Sequence, residues 1–163
     1  MIFHRLTAID PGPKQSAYVM FGVGHHPQRN GIVDNDKLLY GEAMRAERLV
    51  IEGISCYGMP VGKDVFDTCI WIGRFIQKFG PCAAEIIDRK DVKLHLCNSA
   101  RAKDPMVRQA LIDRYGGKTN GIGTKKHPGP LYGITSHCWS ALAVGVTWMD
   151  RNSAKLLLQS GCR

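Results

Sequence analysis

Short apolar runs dominate the first half of the chain, and each is closed by polar or turn-forming residues. Leu6–Ile9 ends in Asp10-Pro11-Gly12-Pro13, and Ala17–Val23 is a second run. Runs of this length around turn chemistry read as two strands joined by a tight loop. The polar stretch Gly24–Asn30 reads as a loop, and Gly31–Met44 has room for a third strand. Arg48–Glu52 is apolar up to its last residue, as expected of a strand buried on both faces.

From residue 63 the spacing changes. Lys63–Phe79 places Val65, Phe66, Cys69, Ile70, Ile76 and Phe79 on one side of a helix, which Gly80-Pro81 stops. Ala83–Ile87 reads as another buried strand. Asp104-Pro105 opens a helix, with Asp as N-cap and Pro at the first helical position, and Gly116-Gly117 closes it after Tyr115. The Gly/Pro-rich, basic stretch Lys118–Pro130 is a loop. Ser136 is expected to cap a last amphipathic helix running to about Met149, which leaves residues 151–163 as a C-terminal tail. Strands that come first in hairpins and later alternate with helices predict a mixed sheet flanked by helices, in one domain over residues 1–163.

Composition narrows the partners. The chain carries 22 Lys and Arg against 14 acids, a net charge of +8 on 163 residues, which favours a polyanionic partner. Its six cysteines lack the Cys-x-x-Cys spacing of a zinc site, and five of them sit in apolar or helix-like runs. No secretory leader opens the sequence, so the thiols read as buried and reduced in a cytosolic protein. No apolar stretch approaches the roughly 20 residues of a membrane helix. The expected setting is the cytoplasm, with no membrane partner.

Two carboxylates carry the candidate chemistry. Asp10 follows Leu6-Thr7-Ala8-Ile9, and Glu52 follows Leu49-Val50-Ile51. An acid at the end of a buried strand is costly to desolvate unless it is paired or ligates a cation. On neighbouring strands the two would face each other across about 5 Å. A hard divalent cation, magnesium or manganese, would relieve their repulsion. Either acid can alternatively serve as a turn residue, since Asp-Pro-Gly is itself a common turn sequence.

The stretch Leu6–Gly12 followed by Ala17–Phe21 resembles the opening hairpin of the RuvC Holliday-junction resolvases, whose first catalytic Asp lies in an Asp-Pro-Gly. Val50-Ile51-Glu52, with a Gly-containing loop and a helix after it, is similar to that family's second motif. The helix Val65–Phe75 fits the family's dimer-side helix, and Asp91–Leu94 through Asp104 resembles its Val-Lys segment. Ser136–Val144 is similar to its closing helix, in which acids three apart precede Ala-Leu-Ala. The ordered set covers nearly the whole chain and is closest to phage-type members.

The resemblance implies an RNase H-like α/β fold with a five-stranded mixed sheet. It also implies a homodimer acting on four-way junctions or other branched DNA, in a bacterial or phage-infected cell. Asp10, Glu52, His137 and Ser140 would be the catalytic positions. Asp10, Glu52, His137 and Asp104 would hold magnesium or manganese, in a two-metal site that drives in-line attack of water on a phosphodiester. His137 and Ser140 stand where many members have acids. Asp104, then Asp113, are the candidates to supply the missing carboxylate. Lys14, Tyr57, Lys63, Lys93, Lys118, Lys125 and Lys126 would meet DNA, the lysines at phosphates and Tyr57 as a wedge at a branch point. Actin-like ATPases also place Asp-x-Gly after a strand, but they need two such lobes. A catalytically inactive binder of branched DNA is the competing reading, because Ser140 removes a charge from the site.

Overall fold

The computed structural model describes residues 5–22, 24–56 and 58–160, with 154–160 described as backbone alone. Val23, Tyr57 and Cys162 lie outside the described residues. Five strands, β1 (Leu6–Asp10), β2 (Gln15–Phe21), β3 (Pro27–Asp34), β4 (Arg48–Gly53) and β5 (Ala84–Asp88), form one sheet in the order β3-β2-β1-β4-β5. The hairpin strands β1, β2 and β3 pair antiparallel, while β1–β4 and β4–β5 pair parallel, so the sheet is mixed as expected.

Helices cover both faces. Leu6, Ala8, Ala17, Val19, Phe21 and Val50 pack on one face against α3 (Arg89–Cys97), α4 (Asp104–Arg114) and α5 (Cys138–Ser160). Ile9, Met20, Leu49 and Ile51 pack on the other face against α1 (Asn35–Leu39) and α2 (Lys63–Phe79). Strand side chains alternate between the faces. Asp10 and Glu52 therefore share the face of Ala8 and Val50, the one that α5 crosses.

Several expectations need correction. The third strand begins at Pro27, inside the stretch read as a loop, and ends at Asp34. As an edge strand exposed along much of its length, it carries Gln28, Arg29 and Asn30 without the apolar pattern of a buried strand. β5 is likewise an edge strand, with Glu85, Ile86 and Asp88 exposed and Ile87 buried. α2 has the predicted bounds, but its buried residues are Thr68, Ile72 and Phe75, while Phe66 and Ile70 are 60% and 61% exposed. The helix has two apolar stripes, and the hydroxyl of Thr68 donates to the Asp64 carbonyl, which lets a polar residue enter the core.

α3 was not foreseen, because Val92 is its one buried side chain and the spacing signal is correspondingly faint. Ser136 does not cap α5. Its φ of 47° is left-handed where an N-cap is extended, and the helix starts at Cys138. α5 also runs past Met149 to Ser160. Asn152 and Ser153 donate back to the carbonyls of Trp148 and Met149, so these polar residues continue the helix instead of ending it. Of the described cysteines, all free, Cys138 is buried while Cys69 and Cys82 are exposed, against the reading of buried thiols.

Gly145 sets how closely α5 approaches the sheet. A Cβ there would lie 2.3 Å from Cε2 of the buried Phe21 ring and 3.0 Å from the Ala8 Cβ. Ala is the better helix former by about 1 kcal/mol, but the clash overfills a packed core at a cost of about 1–3 kcal/mol. Gly145→Ala should therefore lower the urea midpoint. A variant more stable than the parent would show that the helix–sheet spacing is not limited at this residue.

Candidate active site

The parallel register Leu6↔Arg48 through Ile9↔Ile51 brings Asp10 and Glu52 to the next positions along β1 and β4. Glu52 is buried, with its side chain 8% exposed, and that of Asp10 is 14% exposed. The two carboxyls lie close enough for each to shift the other's proton equilibrium. Burial first, and then the charge of Asp10, pushes Glu52 up to about 8 despite the opposing Arg89 guanidinium. Burial also raises Asp10, against hydrogen bonds from Glu52 and Ser140 and the charge of Arg89. The pair sheds negative charge because like carboxylates out of water repel, the condition in which a cation gains most from binding.

The residue just before α5 and the helix's first turn face this pair. His137 Nδ1 lies 3.2 Å from Asp10 Oδ2, with the ring 73% exposed toward solvent. Ser140, three residues on, accepts from Arg89 at 3.4 Å and helps to lower the Asp10 pKa. Four of the residues anticipated from sequence, Asp10, Glu52, His137 and Ser140, are thus brought together.

Sequence reasoning missed the residue at the centre. Arg89, the first residue of α3, donates from Nη1 to both Glu52 oxygens at 2.9 and 3.0 Å and lies 3.4 Å from Ser140 Oγ. Its Nη2 donates to Asp104 Oδ1 at 2.7 Å. Burial alone would lower its pKa, but Glu52, Asp104 and Asp10 together raise it. The pairing of β4 with β5 puts Asp88 opposite Gly53, and this delivers Arg89 to the Glu52 carboxylate. Gly53 permits that approach: a Cβ there would lie 2.5 Å from Asp88 Oδ1.

Asp104 is held by Arg89 and by Lys93 Nζ at 3.9 Å, so its carboxylate serves an ion-pair network and not the N-terminus of α4, where Lys103 takes the cap position. Asp113 accepts from Gln109 near the exposed C-terminal end of α4. Among the described residues, no three His, Cys, Asp or Glu side chains converge as a ready-made cation site. The donor set is two carboxylates, which suits magnesium in particular. That ion is commonly held by one or two carboxylates and keeps several waters or phosphate oxygens.

Asp10, Arg89, Asp104, Arg108, His137, Trp139 and Ser140 line one open cleft. A second, which shares Asp10 and His137, is lined by Lys14, Gln15, Asp34, Asp64 and Thr68. Arg108 lies over the Trp139 ring, 4.7 Å from its centroid. Lys63 is exposed and paired with Asp67. Lys118 stands in a π-helical turn, Lys118–Ile122, and Lys125 and Lys126 are exposed on the loop that a Gly123–Pro128 bridge closes. No helix among the described residues is long and apolar enough to cross a membrane.

Solved structures share this architecture. The Thermus thermophilus RuvC structure superposes with a TM-score of 0.64 at 16% identity, over 91% of this chain and 96% of that one. T. thermophilus RuvC in complex with Holliday junction substrate gives 0.60 at 16% identity, over 88% and 92%. No protein-family model matches the chain, and no curated protein matches it in sequence. At this identity the likeness shows the fold: a mixed five-stranded sheet flanked by helices, the RNase H-like fold of RuvC.

The raised Glu52 carboxyl has a measurable consequence. In cation-free buffer the folded protein keeps, up to about pH 8, a proton that an unfolded Glu loses near 4.5. The native state binds more protons across that window, so stability falls as pH rises from about 5 to about 8. Asp34 and Asp150, held below the usual carboxylate range, complete their change at lower pH. Urea denaturation in EDTA should show this decline, and Glu52→Gln should flatten it. Identical pH profiles for the two proteins would contradict the assignment.

Proposed function

We propose that this chain is a divalent-cation-dependent, structure-selective DNA endonuclease of the RuvC type that cuts four-way junctions and related branched DNA. The observation that carries the reading is the Asp10–Glu52 pair at adjacent strand ends, met by His137, just before α5, and by Ser140 in its first turn. A fold shared with a RuvC solved on Holliday junction substrate supports it, as does the charge of +8. Phage-type membership rests on the sequence resemblance.

Asp10 and Glu52 would hold the cation. When bound, it supplies positive charge against the phosphodiester and acidifies water for hydrolysis. His137 Nδ1 fixes the orientation of Asp10, which leaves Nε2 to take or deliver a proton on the substrate side. Ser140 contributes a neutral hydroxyl where a third acid would stand. A second cation would have to draw on Asp104, which Arg89 holds. Lys14 and Lys93 flank the reacting centre and would steady phosphates close to it. Lys63, Lys118, Lys125 and Lys126 would add contacts farther along the DNA.

Symmetric cutting of a junction needs two sites related by a two-fold axis, hence a homodimer. The face of α2 that would meet a second copy carries Phe66 and Ile70, four apart, with open space at Gly73. Phe75, at the end of the stretch likened to a dimer-side helix, is fully buried in the core and takes no part in that face. Two features favour the alternative of a non-cleaving junction binder: Arg89 occupies Glu52, and Ser140 stands where the resemblance implies an acid.

Asp10→Asn should abolish cleavage of a labelled four-way junction in magnesium or manganese, while junction binding persists or tightens because a negative charge near phosphate is gone. Cutting by that variant at the parental rate would show the site assignment to be wrong. No cleavage by the parent protein in either metal would favour the binder. For the assembly, light scattering should report a dimer that Phe66→Glu with Ile70→Glu converts to a folded monomer. A parent that is monomeric at micromolar concentration, with and without junction DNA, would exclude the two-fold arrangement.

A further inference from the structure

We propose that Arg89 is the resident counter-ion of the site: its guanidinium occupies Glu52 in the cation-free protein, and a divalent cation binds by displacing it. This rests on the reading of Asp10 and Glu52 as the cation's ligands.

The geometry supports competition over simple support. One nitrogen, Nη1, donates to both Glu52 oxygens and approaches Ser140 Oγ, so the carboxylate that a cation needs is covered. A guanidinium keeps its charge at every accessible pH, so it cannot yield its place by losing a proton. It has to move. The arrangement offsets part of the cost of burying Glu52, because the Arg89 charge favours its ionised form.

Arg89 also has somewhere to go. Its Nη2 is tied to Asp104, a side chain 69% exposed on the wall of the same cleft, and Arg89 itself is 38% exposed. Released from Glu52, the side chain stays tethered through Asp104, with Nη1 free beside Asp10, His137 and Ser140. A phosphodiester lying in that cleft offers the anionic oxygens that an unpaired guanidinium binds best. Glu52 thereby exchanges a protein cation for a metal ion, and Arg89 exchanges a carboxylate for a phosphate. The cost of dislodging Arg89 holds cation affinity low until DNA arrives.

The test is a titration of the full chain with Mn2+, without DNA, with free ion followed by its EPR signal. Compared with the parent, Arg89→Gln should bind Mn2+ about tenfold tighter or more, since a like charge in contact with the ligand has been removed. Arg89→Lys, a more mobile charge with poorer two-point geometry, should fall between the two. Glu52→Gln should bind more weakly than the parent. Arg89→Gln will be less stable when cation-free, and Mn2+ should raise its melting temperature by more than it raises that of the parent. If Arg89→Gln and Arg89→Lys bind no tighter than the parent while Glu52→Gln loses the ion, Arg89 is not a competitor, although the carboxylate site stands. If neither the parent nor Arg89→Gln binds Mn2+, the carboxylates are not a cation site and both readings fall.

Discussion

Two carboxylates brought side by side on the covered face of a sheet repel each other and have lost much of their hydration. The parallel register of β1 and β4 imposes this on Asp10 and Glu52, and the surrounding structure answers it. Asp10 is met by His137, just before α5, and Glu52 by Arg89 from α3, which also reaches Ser140 in the first turn of α5. Both acids are nonetheless pushed upward, Glu52 to about 8, so the protein's own groups leave the pair short of positive charge. A soluble domain gains no stability from such a pair, whereas a hydrolytic site gains a place for a metal ion.

The rest of the fold serves to hold that pair against α5. Phe21 and Ala8 meet the helix at Gly145, where no side chain would fit between them. At its start the same helix brings Ser140, with His137 just before it, to the strand ends. On the opposite face, Ile72 and Phe75 of α2 pack with Leu49 and with Ile9 and Ile51, the residues directly before the two acids. A shift of either layer would move the acids relative to their partners, which is why packing and chemistry are inseparable here.

Much of this was legible in the sequence where signals were strong and local. The first hairpin, β4, the bounds of α2 and the acids at strand ends all follow from apolar runs closed by turn residues. What escaped had a physical reason in each instance. β3 and β5 are edge strands, and their exposed sides admit polar residues that blur the pattern. α2 has two apolar stripes, and sequence could not say which would meet the sheet and which would face outward. Arg89 was missed although it obeys the criterion that found Asp10 and Glu52, a charged residue just after an apolar strand: Ile86-Ile87 precede Asp88-Arg89. A strand-end acid signals a cation site by itself, whereas a strand-end arginine signals nothing until its acidic partners are known. Asp104 is expected from sequence as a helix cap and as a candidate metal ligand; its pairing with Arg89, 15 positions away, leaves no local trace in the sequence.

The account's central claim is that Asp10 and Glu52 together bind a divalent cation. Anomalous diffraction from crystals soaked in manganese tests it most directly. The account predicts a peak bonded to both the Asp10 and Glu52 carboxylates, absent in Asp10→Asn crystals soaked the same way. A peak elsewhere in the molecule, with Glu52 free of the ion, would contradict it.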